Sequence, residues 1–238
     1  PMKKQVYKLV IVLLLLVFGI SAFFVGSYIL EGKEQQEKFD ALAEIKESAK
    51  DNVTKPTEAE METTPEGTFG EAEFRDENGM LAEYGEIYKR NNHTVGWIKM
   101  EGTQMDYPVM QTPDEENYYL YRNFDKGESV RGSIYAREVC DINEPSDNIT
   151  LYGHNMRDGS MFAVLHEYIN KETWENNPLI FFDTLYEYHT YKIFAVFKTS
   201  ANIGQGFSYH QFVDAANEKE FNDFVSKCKE LSFYETGI

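Results

Sequence analysis

The sequence predicts a mainly β domain with helices inserted between its strands, preceded by an N-terminal transmembrane helix. Three observations lead to this prediction. An uncharged apolar run at residues 9–30 is about as long as a helix needs to cross a bilayer core. An acidic segment follows at 31–73, where proline and glycine break regular patterns. Residues 74–238 carry short runs of β-branched and aromatic residues separated by turn residues.

The first 30 residues predict an uncleaved, single-pass anchor in the cell membrane. Three lysines lie within residues 1–8, before the apolar run, and acidic residues follow it. Because positive residues favour the cytoplasmic side, we expect residues 1–8 in the cytoplasm and the domain outside the cell. A cleaved signal peptide has a shorter apolar region and a small-residue cleavage site, which residues 21–23 match poorly.

The composition limits the classes of partner. The 238 residues carry a formal net charge of -17, which argues against nucleic acid as a partner because phosphates require a basic surface. Residues 31–73 are predicted to form a solvated extracellular linker, with at most a frayed helix at 34–50. The acidic run therefore indicates a tether that holds the domain away from the membrane.

Cysteine and histidine spacing gives no support for a metal or cofactor. The sequence has no Cys-x-x-Cys or His-x-x-x-His pair and no glycine-rich nucleotide loop. Its two cysteines, Cys140 and Cys228, are too few for a disulfide-stapled scaffold. We expect two unpaired thiols, although spacing leaves one bridge between them open.

The predicted elements of the domain alternate between strands and helices. In chain order they are a helix at 80–91, strands at 95–100 and 105–111 joined by a hairpin connection, a short helix within 113–124, a strand at 133–136, a loop at 141–147, a short buried strand that ends near 152, a helix at 160–168, a helical turn at 170–177, strands at 179–185 and 188–200, a flexible loop at 201–211 and a helix at about 214–231.

A histidine at the exit of the short buried strand is the main candidate for chemistry. Gly153 is predicted to let the backbone turn tightly, and His154 follows it. The unperturbed pKa of histidine lies near neutrality, so an imidazole in this position can carry protons. The alternative is a histidine that ends the strand and hydrogen-bonds the backbone.

Three segments resemble class B sortases, the membrane-anchored cysteine transpeptidases of Gram-positive bacteria. Leu-Tyr-Gly-His-Asn at 151–155, with Met-Phe at 161–162, is similar to the catalytic-histidine segment of that family. The other two segments are Val-Gly-Trp-Ile at 95–98 running through Met-Asp-Tyr-Pro-Val-Met-Gln at 105–111, and Tyr-Tyr-Leu at 118–120 with Asn-Phe at 123–124 and Gly-Ser-Ile-Tyr at 132–135. The resemblance covers about 80–238 and implies a sortase-like β-barrel.

The resemblance also implies roles for three residues. His154 matches the catalytic acid/base, while Leu120 and Tyr152 match positions that line the substrate groove. The family's nucleophilic cysteine follows a Thr-Leu-Ser-Thr-Cys-like strand, and an arginine lies on the next strand. No Thr-Leu-x-Thr-Cys occurs in the sequence. The resemblance therefore implies a barrel that lacks its last two strands, truncated at the C-terminus, and we expect incomplete folding.

The implied activity is cleavage of an Asn-Pro-x-Thr-like sorting signal on secreted proteins through a cysteine thioester. The acyl group would pass to a peptidoglycan amine or a pilin lysine. One alternative is a catalytically inactive, membrane-anchored module that binds sorting signals, since the expected cysteine is absent. Another is an unrelated extracellular β-barrel protease that uses Cys140. For Leu120 and Tyr152, plain core packing is the alternative to groove lining.

Overall fold

A long N-terminal helix, α1 (Met2–Val53), begins the chain. The computed structural model describes residues 2–53, 75–76, 79–200, 202 and 204–238. Within α1, Lys4–Lys50 includes a stretch long and apolar enough to cross a membrane, judged by length and composition. Much of the predicted linker lies outside the described residues, but the chain at 31–53 is helical.

The described residues form two compact units, which divide after residue 40. In the second unit, residues 41–53 of α1 belong with the rest of the domain. The side chain of Lys46 is buried there, with Nζ 3.6 Å from Oδ2 of Asp183 and 5.1 Å from the ring centre of Trp97. Residues 41–53 therefore pack with the folded domain, although their composition predicts a solvated tether.

Six strands within the described residues form one mixed sheet, in the order β4-β3-β2-β1-β5-β6. Only the β2–β3 pair is parallel. The strands are β1 (Thr94–Lys99), β2 (Asp106–Met110), β3 (Ile134–Ala136), β4 (Leu151–Tyr152), β5 (Leu179–Thr184) and β6 (Thr190–Lys192). The predicted β fold with inserted helices is confirmed, and both ends of β1 and of β2 lie within one residue of their predicted limits.

The core of the domain is rich in aromatic residues. Trp97 of β1 and Tyr107 of β2 are almost fully buried. Helix α2 (Ala82–Arg90) buries Tyr84 and Ile87 on one stripe, as its amphipathic pattern predicts. The remaining α-helices in the described part of the chain are α3 (Lys171–Asn176) and α4 (Glu218–Leu231).

The predicted helix at 214–231 begins four residues late, because Asn217 caps it. The Asn217 side chain accepts a hydrogen bond from the backbone N–H of Glu220 at 3.2 Å. Asparagine is among the preferred N-cap residues because its side-chain oxygen satisfies an N–H that has no partner within the helix. The residues before it, 214–216, belong instead to a loop that hydrogen-bonds to Asp147, before β4.

Two predicted helices are 3-10 helices rather than α-helices, and one predicted strand is much shorter than expected. The segment at 160–168 forms a 3-10 helix, Phe162–Ile169, and 113–124 contains only a 3-10 turn, Tyr118–Tyr121. The long strand predicted at 188–200 is reduced to β6, Thr190–Lys192. Beyond β6 the backbone bonds to the C-terminal segment, for example from Phe233 N to Val196 O at 2.8 Å. An apolar run does not specify which strand it pairs with, so the sequence pattern could not predict where β6 ends.

Candidate active site

His154 lies just beyond β4, half-buried, with its ring nitrogen Nε2 2.8 Å from the carbonyl oxygen of Leu120. A carbonyl oxygen can only accept, so Nε2 carries the proton of this hydrogen bond. In the neutral ring Nδ1 is then the basic nitrogen. The ring also lies beside Tyr121, with centroids 5.5 Å apart. The imidazole is thus oriented by one backbone group and flanked by one aromatic ring.

Close packing, rather than a tight turn, explains the glycine before His154. A Cβ at Gly153 would overlap the Ile134 side chain and come within 2.8 Å of the Phe162 ring. Gly153 is not among the glycines with positive φ, so the requirement for a residue without a Cβ comes from this close approach. The backbone of His154 is held on its other side, where Phe162 N donates to its carbonyl at 3.0 Å.

A turn at 129–133 holds the segment that carries the Leu120 carbonyl. Ser133 N donates to Tyr119 O at 3.0 Å, and Ser129 N donates to Tyr121 O at 2.9 Å. Gly132, at φ 58, lies so close that a Cβ would overlap the Leu120 oxygen. The carbonyls on both sides of Leu120 are therefore bound by this turn, and the one between them faces His154.

Tyr152 lies in β4, opposite Tyr135 of β3, and the two rings are 5.2 Å apart. Burial raises the pKa of Tyr152, although Arg137 opposes the shift. Its side chain is half-buried, as is that of Leu120. The structure brings Leu120 and His154 into direct contact and places Tyr152 two residues before the histidine. Groove lining by Leu120 and Tyr152 stays a prediction.

The segment at 210–215 hydrogen-bonds to the chain between β3 and β4. Asn148 donates from Nδ2 to Phe212 O at 2.7 Å, and Arg137 donates to the carbonyl of His210. Asp147 N donates to Asp214 Oδ1 at 3.0 Å, and Asp147 Oδ2 accepts from Ala215 N at 2.9 Å. Residues 201 and 203 of the predicted loop at 201–211 lie outside the described residues, but its end is bonded to the loop that precedes β4.

Both cysteines are buried and neither forms a disulfide. Cys140 Sγ donates to Asn148 O at 3.5 Å, and burial raises the pKa of its thiol. Burial also raises the pKa of Cys228 on α4. The thiolate is the reactive form, so these environments disfavour nucleophilic attack and argue against the protease that uses Cys140. No group of three potential metal ligands occurs among the residues that the structure describes.

Comparison with known proteins gives a consistent result. A model of the sortase domain matches residues 98–220. Sortase B of Listeria monocytogenes is 29% identical over 225 residues, covering 93% of this chain and 79% of that protein. Sortase B of Staphylococcus aureus is 28% identical over 156 residues, covering 66% of this chain and 62% of that protein.

Solved structures agree with these matches. A complex of Bacillus anthracis sortase B with AAEK1 superposes with a TM-score of 0.64 at 26% identity, covering 85% of this chain and 83% of that one. A Staphylococcus aureus sortase B–substrate complex gives a TM-score of 0.61 at 27% identity, covering 67% of this chain and 71% of that one.

Proposed function

Because the chain belongs to the sortase family, in its class B branch, we propose that it takes part in cysteine transpeptidation of secreted proteins. Its substrate is a C-terminal sorting signal of the Asn-Pro-x-Thr type, and its acceptor is a peptidoglycan amine or a pilin lysine. The observation that carries this proposal is the half-buried His154 ring, oriented through Nε2 by the Leu120 carbonyl at 2.8 Å.

The orientation of His154 suits proton transfer. In thiol transpeptidation a thiolate attacks the scissile carbonyl and forms a thioester, and an amine then resolves it. The leaving amine needs a proton, and the attacking amine must lose one. With Nε2 bound to Leu120, Nδ1 of His154 is assigned to both transfers: Nδ1–H protonates the leaving amine, and neutral Nδ1 accepts a proton from the acceptor amine.

The groove assignment extends the same proposal to peptide binding. Leu120 and Tyr152 line the groove, and both side chains are half-buried beside the segment that holds His154. One Staphylococcus aureus sortase B structure is described as a substrate complex, and another sortase B structure as a complex with triglycine. Those complexes support a peptide donor and an amine acceptor as the two ligand classes.

The N-terminal region anchors this activity at the cell membrane. Residues 9–30 span the bilayer once, residues 1–8 are cytoplasmic and the catalytic domain at 74–238 is extracellular, connected through the linker 31–73. The apolar stretch within α1 and the three lysines before it support this topology. In the described part of that linker, residues 41–53 pack with the catalytic domain.

A second candidate is a module that binds sorting signals without cleaving them. The burial of Cys140 and Cys228, with raised thiol pKa values, favours it because neither thiol is a suitable nucleophile. Such a module would keep the peptide groove beside His154 and lack the thioester step.

Peptide cleavage separates the two candidates. The complete gene product, including any residues that follow position 238, is incubated with an Asn-Pro-x-Thr peptide that carries a fluorophore and a quencher, with triglycine as acceptor, because neither thiol within residues 1–238 is a suitable nucleophile. We expect cleavage and transfer, reduced at least about a hundredfold in His154→Ala because general acid–base catalysis typically contributes that much. His189, which lies beside Glu187 next to β6 at the other end of the sheet, provides the control variant His189→Ala, which should remain active. Saturable peptide binding without cleavage would favour the binding module, and absence of both would refute the proposal.

A further inference from the structure

A buried arginine binds the loop that follows His154. The side chain of Arg131 is 3% exposed, and its Nη1 lies 2.5 Å from Oδ2 of Asp158 and 3.0 Å from Oγ of Ser160. Asp158 Oδ1 in turn accepts from the Ser160 hydroxyl at 2.7 Å. A buried guanidinium that bonds a carboxylate and a hydroxyl restricts both groups, because its donors have a fixed planar geometry. We call this loop, residues 155–161, the clasp loop.

The clasp loop is closed at its base and strained at its end. Asn155 and Met161 form an antiparallel bridge, and the next residue pair is joined by the bond from Phe162 N to His154 O at 3.0 Å. Met161 has φ 58 and ψ -131, a conformation that residues with a Cβ rarely adopt. Strain of this kind persists only where surrounding contacts enforce it. Here Met161 is buried and its N–H donates to Tyr107 Oη at 3.3 Å.

The turn that carries Arg131 also contacts the Leu120 segment, whose carbonyl binds Nε2 of His154. Ser133 N and Ser129 N bond the carbonyls on both sides of Leu120, and Gly132 packs directly against the Leu120 oxygen. The turn at 129–133 therefore contacts the clasp loop through the Arg131 side chain and the Leu120 segment through its backbone. The clasp loop leads directly into Phe162, whose N–H binds the His154 carbonyl, and the Leu120 segment binds Nε2 of His154.

We propose that Arg131 is a positioning residue for His154, which fixes the clasp loop so that Nε2 stays on the Leu120 carbonyl and Nδ1 stays directed to the reacting groups. The role of Nδ1 rests on the proposed function, whereas the orientation of the ring does not. Without the guanidinium, Asp158 and Ser160 lose their shared anchor, the clasp loop relaxes and the imidazole samples other orientations. Lysine keeps the charge but cannot reproduce the planar pair of bonds.

Imidazole NMR tests the orientation directly. The full-length protein is labelled with ¹⁵N-histidine, and His154→Gln identifies the His154 signals. We expect the neutral wild-type ring to be in the Nε2–H form with a slowly exchanging proton. Arg131→Met should convert this signal to averaged tautomers with fast exchange, and Arg131→Lys should retain part of the wild-type signal. Arg75→Met is the matched control, because Arg75 bonds the carbonyls of Gly79 and Tyr186, near the opposite edge of the sheet.

If Arg131→Met fails to fold, Asp158→Asn provides the second variant, since it weakens the grip and leaves the bond to Ser160. We expect an intermediate loss of the Nε2–H signal. An unchanged His154 signal in folded Arg131→Met would overturn the proposal. Where Arg131→Met does not fold, an unchanged signal in folded Asp158→Asn would overturn it. So would an equal change in Arg75→Met.

Kinetics separates this proposal from the proposed function. In Arg131→Met we expect kcat for peptide cleavage to fall about tenfold, with KM within about twofold, and Arg131→Lys to recover part of kcat. A rise in KM alone would indicate a merely structural role and overturn the proposal. A wild-type protein that neither binds nor cleaves the peptide would refute the proposed function, and the NMR result would still decide whether Arg131 positions the ring.

Discussion

Replacing Gly132 with alanine should displace the carbonyl that orients His154. Gly132 has φ 58, where an alanine costs about 1–2 kcal/mol. Its new Cβ would also overlap the Leu120 oxygen and lie 2.6 Å from the Tyr119 oxygen. Both are backbone atoms, so relief requires movement of the segment, and overpacking of this kind costs about 1–3 kcal/mol more. We therefore expect Gly132→Ala to lower the free energy of unfolding by about 2–5 kcal/mol.

Gly79 provides the matched control for this variant. It has φ 78, and a Cβ there would have no heavy atom within 4 Å, so Gly79→Ala has the conformational cost without the collision. We expect a loss of only about 1–2 kcal/mol in that variant. Urea denaturation of both proteins measures the difference, and ¹⁵N-histidine spectra show whether the Nε2–H signal of His154 is lost in Gly132→Ala alone.

Equal stability losses in the two variants, with the His154 signal unchanged in both, would refute the reasoning. Such a result would mean that the Leu120 segment can move away from residue 132 without disturbing the histidine. A selective loss of stability with an intact His154 signal would confirm the collision but contradict its connection to the imidazole.

Two further predictions concern the second compact unit. Leu42→Ala should lower its free energy of unfolding by about 2–5 kcal/mol, because the side chain is only 3% exposed. The exposed Glu44 gives the control Glu44→Ala, and equal denaturation midpoints would show that this part of α1 does not support the domain. For Asp158, burial raises the pKa of the carboxyl, but the bonds from the neighbouring hydroxyl and guanidinium outweigh burial and lower it. The folded state therefore favours the carboxylate, and this stabilisation is lost as the pH falls below about 4. The stability difference between wild type and Asp158→Asn should shrink between about pH 6 and pH 3, on either side of the ordinary carboxyl pKa; a constant difference would contradict the assignment.

The limits of β1 and β2 could be predicted because their patterns are local. The β-branched and aromatic residues of the two strands and the turn between them are both contained in residues 94–110. The segment at 188–200 has an equally apolar composition, yet most of it is not a strand. A strand also requires a partner for its backbone groups, and the composition of a segment does not identify that partner.

The helical part of the predicted linker shows the same limit. Residues 41–53 are polar and acidic on average, which predicts a solvated tether. In the structure Leu42 and Lys46 are buried, and the ammonium of Lys46 lies near Asp183 and over aromatic rings. A few apolar positions and one long side chain were enough to dock this part of the helix, and an average over the segment hides them.

The candidate site was only partly recognisable in the same way. His154 could be found because it follows a short strand and histidine is a residue type that can carry protons near neutral pH. Leu120 was identified through a family resemblance as a side chain that lines a groove, whereas its carbonyl is the group that bonds His154. Arg131 was missed, because no motif marks an arginine whose partners lie at 158 and 160.

The sequence by itself determined the apolar span, the family, most of the order of strands and helices, and the histidine available for proton transfer. Only the tertiary structure decided which nitrogen of that histidine is held, by which carbonyl, and which buried guanidinium holds the loop beside it. The physical reason is distance along the chain. Periodicity and motifs record neighbours within a few residues, but the contact between Leu120 and His154 joins positions 34 residues apart. Such a contact exists only after the sheet has brought the two segments together.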